Sequence, residues 1–140
     1  VRTHWPTSDI RVALYNAGLG VWKSFLQVTE DELDKVTDTN LKGAFAFSRE
    51  ALTAFQGQSI DDNEGKGKRG TLLFTGATAS LRGNTTTSVF SAAKFGVRSL
   101  SQSLNKEFGK ENIHVCIAPV YLTFTFTSPP CPHPLINLDR

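Results

Sequence analysis

Apolar residues fall along this chain in two rhythms, dense short runs and long stretches stepped by three and four. Ile10 to Tyr15 (IRVALY) is a β-branched, apolar run that stops at Asn16-Ala17-Gly18, which predicts a buried strand ending in a turn. Thr29-Glu30-Asp31-Glu32 has the form of a capping box, in which the Thr hydroxyl and the Glu carboxylate satisfy each other's backbone donors. From there Leu33, Val36, Asn40, Ala44, Phe47, Ala51 and Phe55 recur on one helical face, with a weak point at Thr37 to Thr39. Gln56 to Gly70 is polar and Gly-rich and predicts a surface loop. Thr71 to Thr75 predicts a second buried strand, closed by Gly76. A loop with Gly83 and Asn84 leads to a second long helix from about Ser88 to Gly109. Val97, Leu100, Leu104 and Phe108 form its core stripe, and Gly109 is expected to cap it. Ile113 to Ala118 (IHVCIA) predicts a third strand.

Strand–helix–strand–helix–strand implies parallel strands joined by right-handed crossovers, an α/β chain with a partial doubly wound sheet and flanking helices. After Pro119 the pattern dissolves. Four prolines crowd into residues 129–134 and no charge appears from Pro119 until Asp139. Prolines at that density exclude a central strand. The expected organisation is an α/β unit over residues 1–118 and an atypical, poorly ordered Pro-rich tail over 119–140. The abrupt shift suits a fragmentary gene model that retains non-coding sequence after about Val115.

Composition narrows the function classes. Net charge is +2, with basic residues scattered, so no nucleic-acid footprint is expected. Lys66, Lys68 and Arg69 sit among Gly, Asp and Asn and suit a solvated loop. Two cysteines, Cys116 and Cys131, make neither a disulfide framework nor a zinc pattern, so a reducing, cytoplasmic setting and no metal are expected. No apolar run approaches the roughly 20 residues of a membrane span. His4, His114 and His133 lack ligand spacing, and the Asn84-Thr85-Thr86 sequon has no secretion signal to give it meaning. Methionine is absent, which fits a chain that does not begin at a natural start.

Three features then fall in order: Asn16-Ala17-Gly18 at a strand end, Asn40 on a helix, and Phe90-Ser91-Ala92-Ala93-Lys94 near the start of a helix that follows Thr75-Gly76-Ala77-Thr78-Ala79-Ser80. This order and spacing resembles the short-chain dehydrogenase/reductase family over about Ile10 to Ala118. The family has an Asn-Ala-Gly turn, a structural Asn, a Ser-bearing strand end and a Tyr-x-x-x-Lys helix. The resemblance implies a Rossmann-like fold and hydride transfer between NAD or NADP and a small alcohol or carbonyl. It implies a homo-oligomer through the two long helices. It also implies that a Tyr phenol is the general acid/base, helped by a Lys⁺ one turn away that also holds the nicotinamide ribose. A Ser hydroxyl orients the substrate oxygen, and the Asn supports a proton-relay water.

Two of those groups are not matched. Phe90 stands at the Tyr position and Ala77 at the Ser position, while Asn40 and Lys94 match. Thr78 and Ser80 are near enough to serve in a shifted loop. Asn16, Ala17, Gly18, Thr75 and Lys94 are expected to line the remaining half of a cofactor cleft. The pyrophosphate of a dinucleotide needs a Gly-rich turn opening a helix. Gly18-Leu19-Gly20 has no third Gly and no helix start, so the first half of the fold is read as absent from this chain.

Blander and rival readings stand beside these. Lys94 alone could be a surface lysine, Asn40 could make a helix-packing hydrogen bond, and Asn16 could simply close its turn. A non-catalytic relative that binds nucleotide or a partner subunit is the alternative to an impaired oxidoreductase. Ser91-Ala92-Ala93-Lys94 also matches the S-x-x-K of acyl-transfer enzymes, but the accompanying Ser-Asp-Asn and Lys-Thr-Gly are missing. The whole reading requires the Lys94 amine and the Phe90 ring to enter one crevice beside the Asn16 turn.

Overall fold

The computed structural model describes residues 4, 8–61 and 67–120. Strand β1 (Val12–Tyr15) is followed by helix α1 (Glu30–Thr37), which runs through a π-turn (Asp38–Lys42) into α2 (Gly43–Gln56). Then come β2 (Gly70–Ala77), α3 (Ser88–Phe108) and β3 (Ile113–Val120). The three strands pair in parallel in the order β1-β2-β3, with Tyr15 opposite Phe74 and Phe74 opposite Ile117. The expected β-α-β-α-β order of an α/β sheet with flanking helices is what the chain forms. Of the tail predicted over 119–140, Pro119 and Val120 instead extend β3, opposite Gly76 and Ala77 of β2; the rest, including Cys131 and His133, lies outside the described residues, as does Lys66.

α1 begins where the capping box predicts. The Thr29 amide donates to a Glu32 carboxylate oxygen at 3.1 Å, and the Glu32 amide to the Thr29 hydroxyl at 3.3 Å. The weak point expected at Thr37 to Thr39 becomes the π-turn, and the cause is an inserted side chain. The Tyr15 hydroxyl reaches in from β1 and donates to the Thr39 carbonyl. It passes directly over Gly43, where any Cβ would collide with it. Widening the helix there keeps Val36, Asn40 and Ala44, at successive steps of four, all on the buried side. Without the wider turn, each such step would drift about 40° around an α-helix.

Both helices cover the same face of the sheet. Leu72, Phe74, Ile113 and Val115 pack there with Ala44, Leu52, Phe55, Val97 and Leu100. Two expectations need correction. Leu33 does not join the apolar face; it is 46% exposed, because α1 precedes the π-turn and only its Val36 meets the core. The β1 run is not buried throughout: Val12 is 63% exposed and Leu14 50%, because the helices cover only one face of the strand. Gly109 caps α3 as expected, in a right-handed conformation that opens a short 3-10 turn, and Asn112, at φ 61°, takes the left-handed position before β3. Asn tolerates that conformation better than most side chains. No helix among the described residues is long and apolar enough to cross a membrane.

Candidate active site

In open α/β sheets ligands bind at the carboxyl ends of the strands, where loops leave the sheet. Here β1 ends at Tyr15 and the exposed Asn16-Ala17-Gly18 turn follows. Thr75 lies one residue beyond the register partner of Tyr15, which sets it beside that turn. Its hydroxyl donates to the Asn16 side-chain oxygen at 2.7 Å. The turn is thereby tied to the second strand.

Lys94 comes to the same place from α3. Its side chain is only 6% exposed, and its Nζ donates to the Thr75 carbonyl at 2.8 Å. No carboxylate pairs with it among the described residues. Burial therefore pushes the amine below the usual lysine range, because desolvation disfavours the charged form. The Phe90 ring, one helical turn earlier, lies with its centroid 5.8 Å from Nζ. That is within the outer reach of a cation–π contact. An ammonium has three donors, so the bond to Thr75 leaves two for a ligand.

Asn40, 1% exposed, is placed by the π-turn against the loop after β1. Its side-chain oxygen accepts from the Leu19 amide at 2.8 Å, and its amide nitrogen donates to the Leu19 carbonyl at 2.7 Å. The side chain mimics a strand neighbour and clamps the loop. The clamp sets Gly18 over the amine: a Cβ on Gly18 would stand 3.5 Å from Lys94 Nζ and 3.6 Å from the Asn40 oxygen. The Lys94 amine thus lies close to Thr75, the Phe90 ring and Gly18 of the Asn16 turn.

Ala77 ends β2 and carries no hydroxyl. Its amide donates to the Ser80 hydroxyl at 3.0 Å, so that oxygen, 1% exposed, serves to hold the Thr78–Ser80 turn. Ser91, the nucleophile position of the S-x-x-K reading, is buried and shares a 2.9 Å hydrogen bond with the Thr87 hydroxyl. Two residues escape the sequence reading. Leu19 matters through its backbone. Trp22 lays its indole over Gly20 and against Phe90, with ring centroids 5.4 Å apart. The Trp22–Phe90 pair is separated by about half of the chain, and no local pattern announces it.

This geometry agrees with comparisons to known proteins. Residues 2–130 match the short chain dehydrogenase family, beyond the Ile10–Ala118 span legible from motifs. A short-chain dehydrogenase/reductase from Armillaria gallica is 33% identical over 109 residues, covering 74% of this chain and 37% of the relative. A short-chain dehydrogenase from Rhodopseudomonas palustris superposes with a TM-score of 0.70 at 32% identity, covering 84% of this chain and 50% of that one. At 19% identity, the fold also matches a 3-ketoacyl-(acyl-carrier-protein) reductase from Brucella melitensis solved in complex with NADH, with a TM-score of 0.70 over 81% of this chain and 45% of that one. The chain thus spans half or less of the length of these relatives. The order of its motifs, its parallel sheet and its buried Lys94 point the same way: the chain belongs to the short-chain dehydrogenase family.

Proposed function

We propose that the chain supplies the nicotinamide-side and substrate-side half of an NAD- or NADP-dependent oxidoreductase site for a small carbonyl or alcohol, and that this site is impaired in proton transfer. The carrying observation is the Lys94 amine, buried at the carboxyl end of β2 with donors to spare. Lys94 suits the hydroxyls of a nicotinamide ribose, and the absence of a Cβ at Gly18 leaves room beside it. The pyrophosphate end finds no seat in these residues. After Gly18 the chain opens no helix until a single 3-10 turn at Phe25–Gln27, so the turn does not itself lead into a helix N-terminus.

When bound, the nicotinamide supplies or accepts the hydride. What this chain contributes is position and environment. Asn40 holds the loop through Leu19, Thr75 holds both the Asn16 turn and the amine, and Phe90 with Trp22 forms an apolar wall. Phe90 keeps the shape of a tyrosine and has no proton to give. Loss of general acid/base help slows a reaction about 10² to 10⁴-fold, or roughly 3–5 kcal/mol of barrier. The same apolar ring favours the second reading, a relative that binds nucleotide with little or no turnover.

Nicotinamide mononucleotide tests the first claim on this chain directly, since it carries the nicotinamide ribose without the adenylate half. It is expected to perturb NMR signals of Gly18, Thr75 and Lys94, to lose that effect in Lys94→Met, and to outcompete AMP at these positions. Shifts confined to other surfaces would refute the assignment. In a protein carrying the pyrophosphate turn, Phe90→Tyr is expected to raise carbonyl reduction by about 10² or more. A tight binder that gains no turnover from Phe90→Tyr is the non-catalytic relative.

A further inference from the structure

Lys94 differs from the other described lysines in what surrounds its amine. Lys35 and Lys42 are exposed and pair with Asp31 at 2.7 Å and Asp38 at 2.6 Å. Those carboxylates hold their protons on and raise both amines above the usual range. Lys94 meets neutral partners, the Thr75 carbonyl and the face of Phe90. A lysine desolvated in an apolar pocket is the ordinary form of an amine nucleophile, because the free base is the reactive species. Beside it stand two aromatic rings, Phe90 and the half-exposed Trp22, tilted 44° to each other. Such rings attract a third ring edge-on or offset.

We propose that the Lys94 amine captures carbonyl compounds covalently as imines, favouring aldehydes that carry an aromatic group able to lie against Phe90 and Trp22. The Nζ lone pair adds to the carbonyl carbon, and the C–O π pair moves onto oxygen, which takes a proton from the nitrogen. The carbinolamine nitrogen then forms the C=N bond as the C–O bond breaks, and the oxygen leaves as water with the second amine proton. Nothing is oxidised or reduced and no cofactor takes part. Gly18 puts no side chain beside the amine, where a Cβ would stand 3.5 Å from Nζ. The proposal needs the buried amine and its two aromatic neighbours and not the nucleotide, so it stands or falls apart from the oxidoreductase reading.

The test uses the chain as it is, with benzaldehyde as probe. Sodium cyanoborohydride transfers hydride to the imine carbon and fixes the adduct as a benzyl amine, which peptide mass spectrometry locates. Lys94 is expected to be benzylated about tenfold faster than Lys35 or Lys42, and the preference is expected to vanish in urea. Gly18→Ala is expected to slow labelling at Lys94 while leaving Lys35 unchanged. Trp22→Ala is expected to remove the preference for benzaldehyde over acetaldehyde. Equal labelling of Lys94 and the exposed lysines in the folded chain overturns the proposal, as does a Lys94 preference that persists in urea. If acetaldehyde labels Lys94 as fast as benzaldehyde in the unsubstituted chain, the aromatic selectivity is wrong. Binding of nicotinamide mononucleotide is measured separately, and its failure would leave the labelling result intact.

Discussion

The two faces of the sheet are built from alternate residues of the same strands, yet they live in different surroundings. On one, Leu72 and Phe74 are completely buried and Ile113 and Val115 nearly so, under α2 and α3. On the other, Val12 is 63% exposed and Leu14 50%, in register with Thr71 and Leu73 of β2 and with His114 and Cys116 of β3. Parallel sheets occur almost only with both faces covered. The open face is thus apolar without burial, and the covered face carries the stability of the described residues. Where β1 and β2 run out, the Asn16 turn and the loop after it are held by side chains that descend from the covered side. Asn40 and Lys94 both belong to helices of that layer. Asn40 and Lys94 are therefore anchored from the covered face and not from the open one.

Removing Phe74 breaks that contrast most severely. It is 0% exposed and sits edge-on to Tyr15, the residue whose hydroxyl inserts at the π-turn. Phe74→Ala is expected to cost about 3–5 kcal/mol, read as a lowered urea midpoint. It should loosen the π-turn too, so the Leu19 amide is expected to lose hydrogen-exchange protection. Full protection at Leu19 in a folded Phe74→Ala protein would show that core and clamp are independent.

Asn40→Ala probes the joint between the two regions. The substitution strips the partners from one amide and one carbonyl of Leu19. Leaving such groups unsatisfied costs about 1–3 kcal/mol each when buried, and Leu19, 38% exposed, can recover part of that from water. The expected loss is thus about 1–2 kcal/mol, smaller than for Phe74. The sharper readout is local: signals of Gly18 and Leu19 should broaden while those of Leu72 and Val115 stay put. Broadening across the whole sheet would mean that Asn40 acts as core rather than clamp.

How much of this was legible depends on distance along the chain. The three strands and the long helices follow from periodicity, and the α1 start from a four-residue box, because local spacing encodes them. The identity of the clamp residue was visible at Asn40, a polar residue on an apolar face, but its partner was not, since Leu19 offers only its backbone. The π-turn registered as weak propensity at Thr37 to Thr39, whereas its cause, the hydroxyl of Tyr15, arrives from another element. Trp22 had no signal at all: its contact with Phe90 exists only after β2 and α3 are in place. Leu33 failed for a related reason, that amphipathic rhythm describes an average helix and tertiary contacts decide the particular one.

Leu14→Ser sharpens the comparison from its weak side. Leu14 alternates with Ala13 and Tyr15 along β1 and faces away from both helices, half exposed. A surface substitution of this kind is ordinarily worth no more than about 0.5 kcal/mol, and serine adds only a small loss of strand preference. Stability of the described chain should barely move, and labelling of Lys94 by benzaldehyde should not change. If a covering layer were supplied, in a longer polypeptide or by a partner, the same residue would pass into a core, and its replacement by a hydroxyl would then cost several-fold more. The ratio of the two costs measures how much of the open face is ever closed. A large cost already present in the chain alone, by urea unfolding, would mean that the open face is occupied in solution and that Val12 and Leu14 are not free.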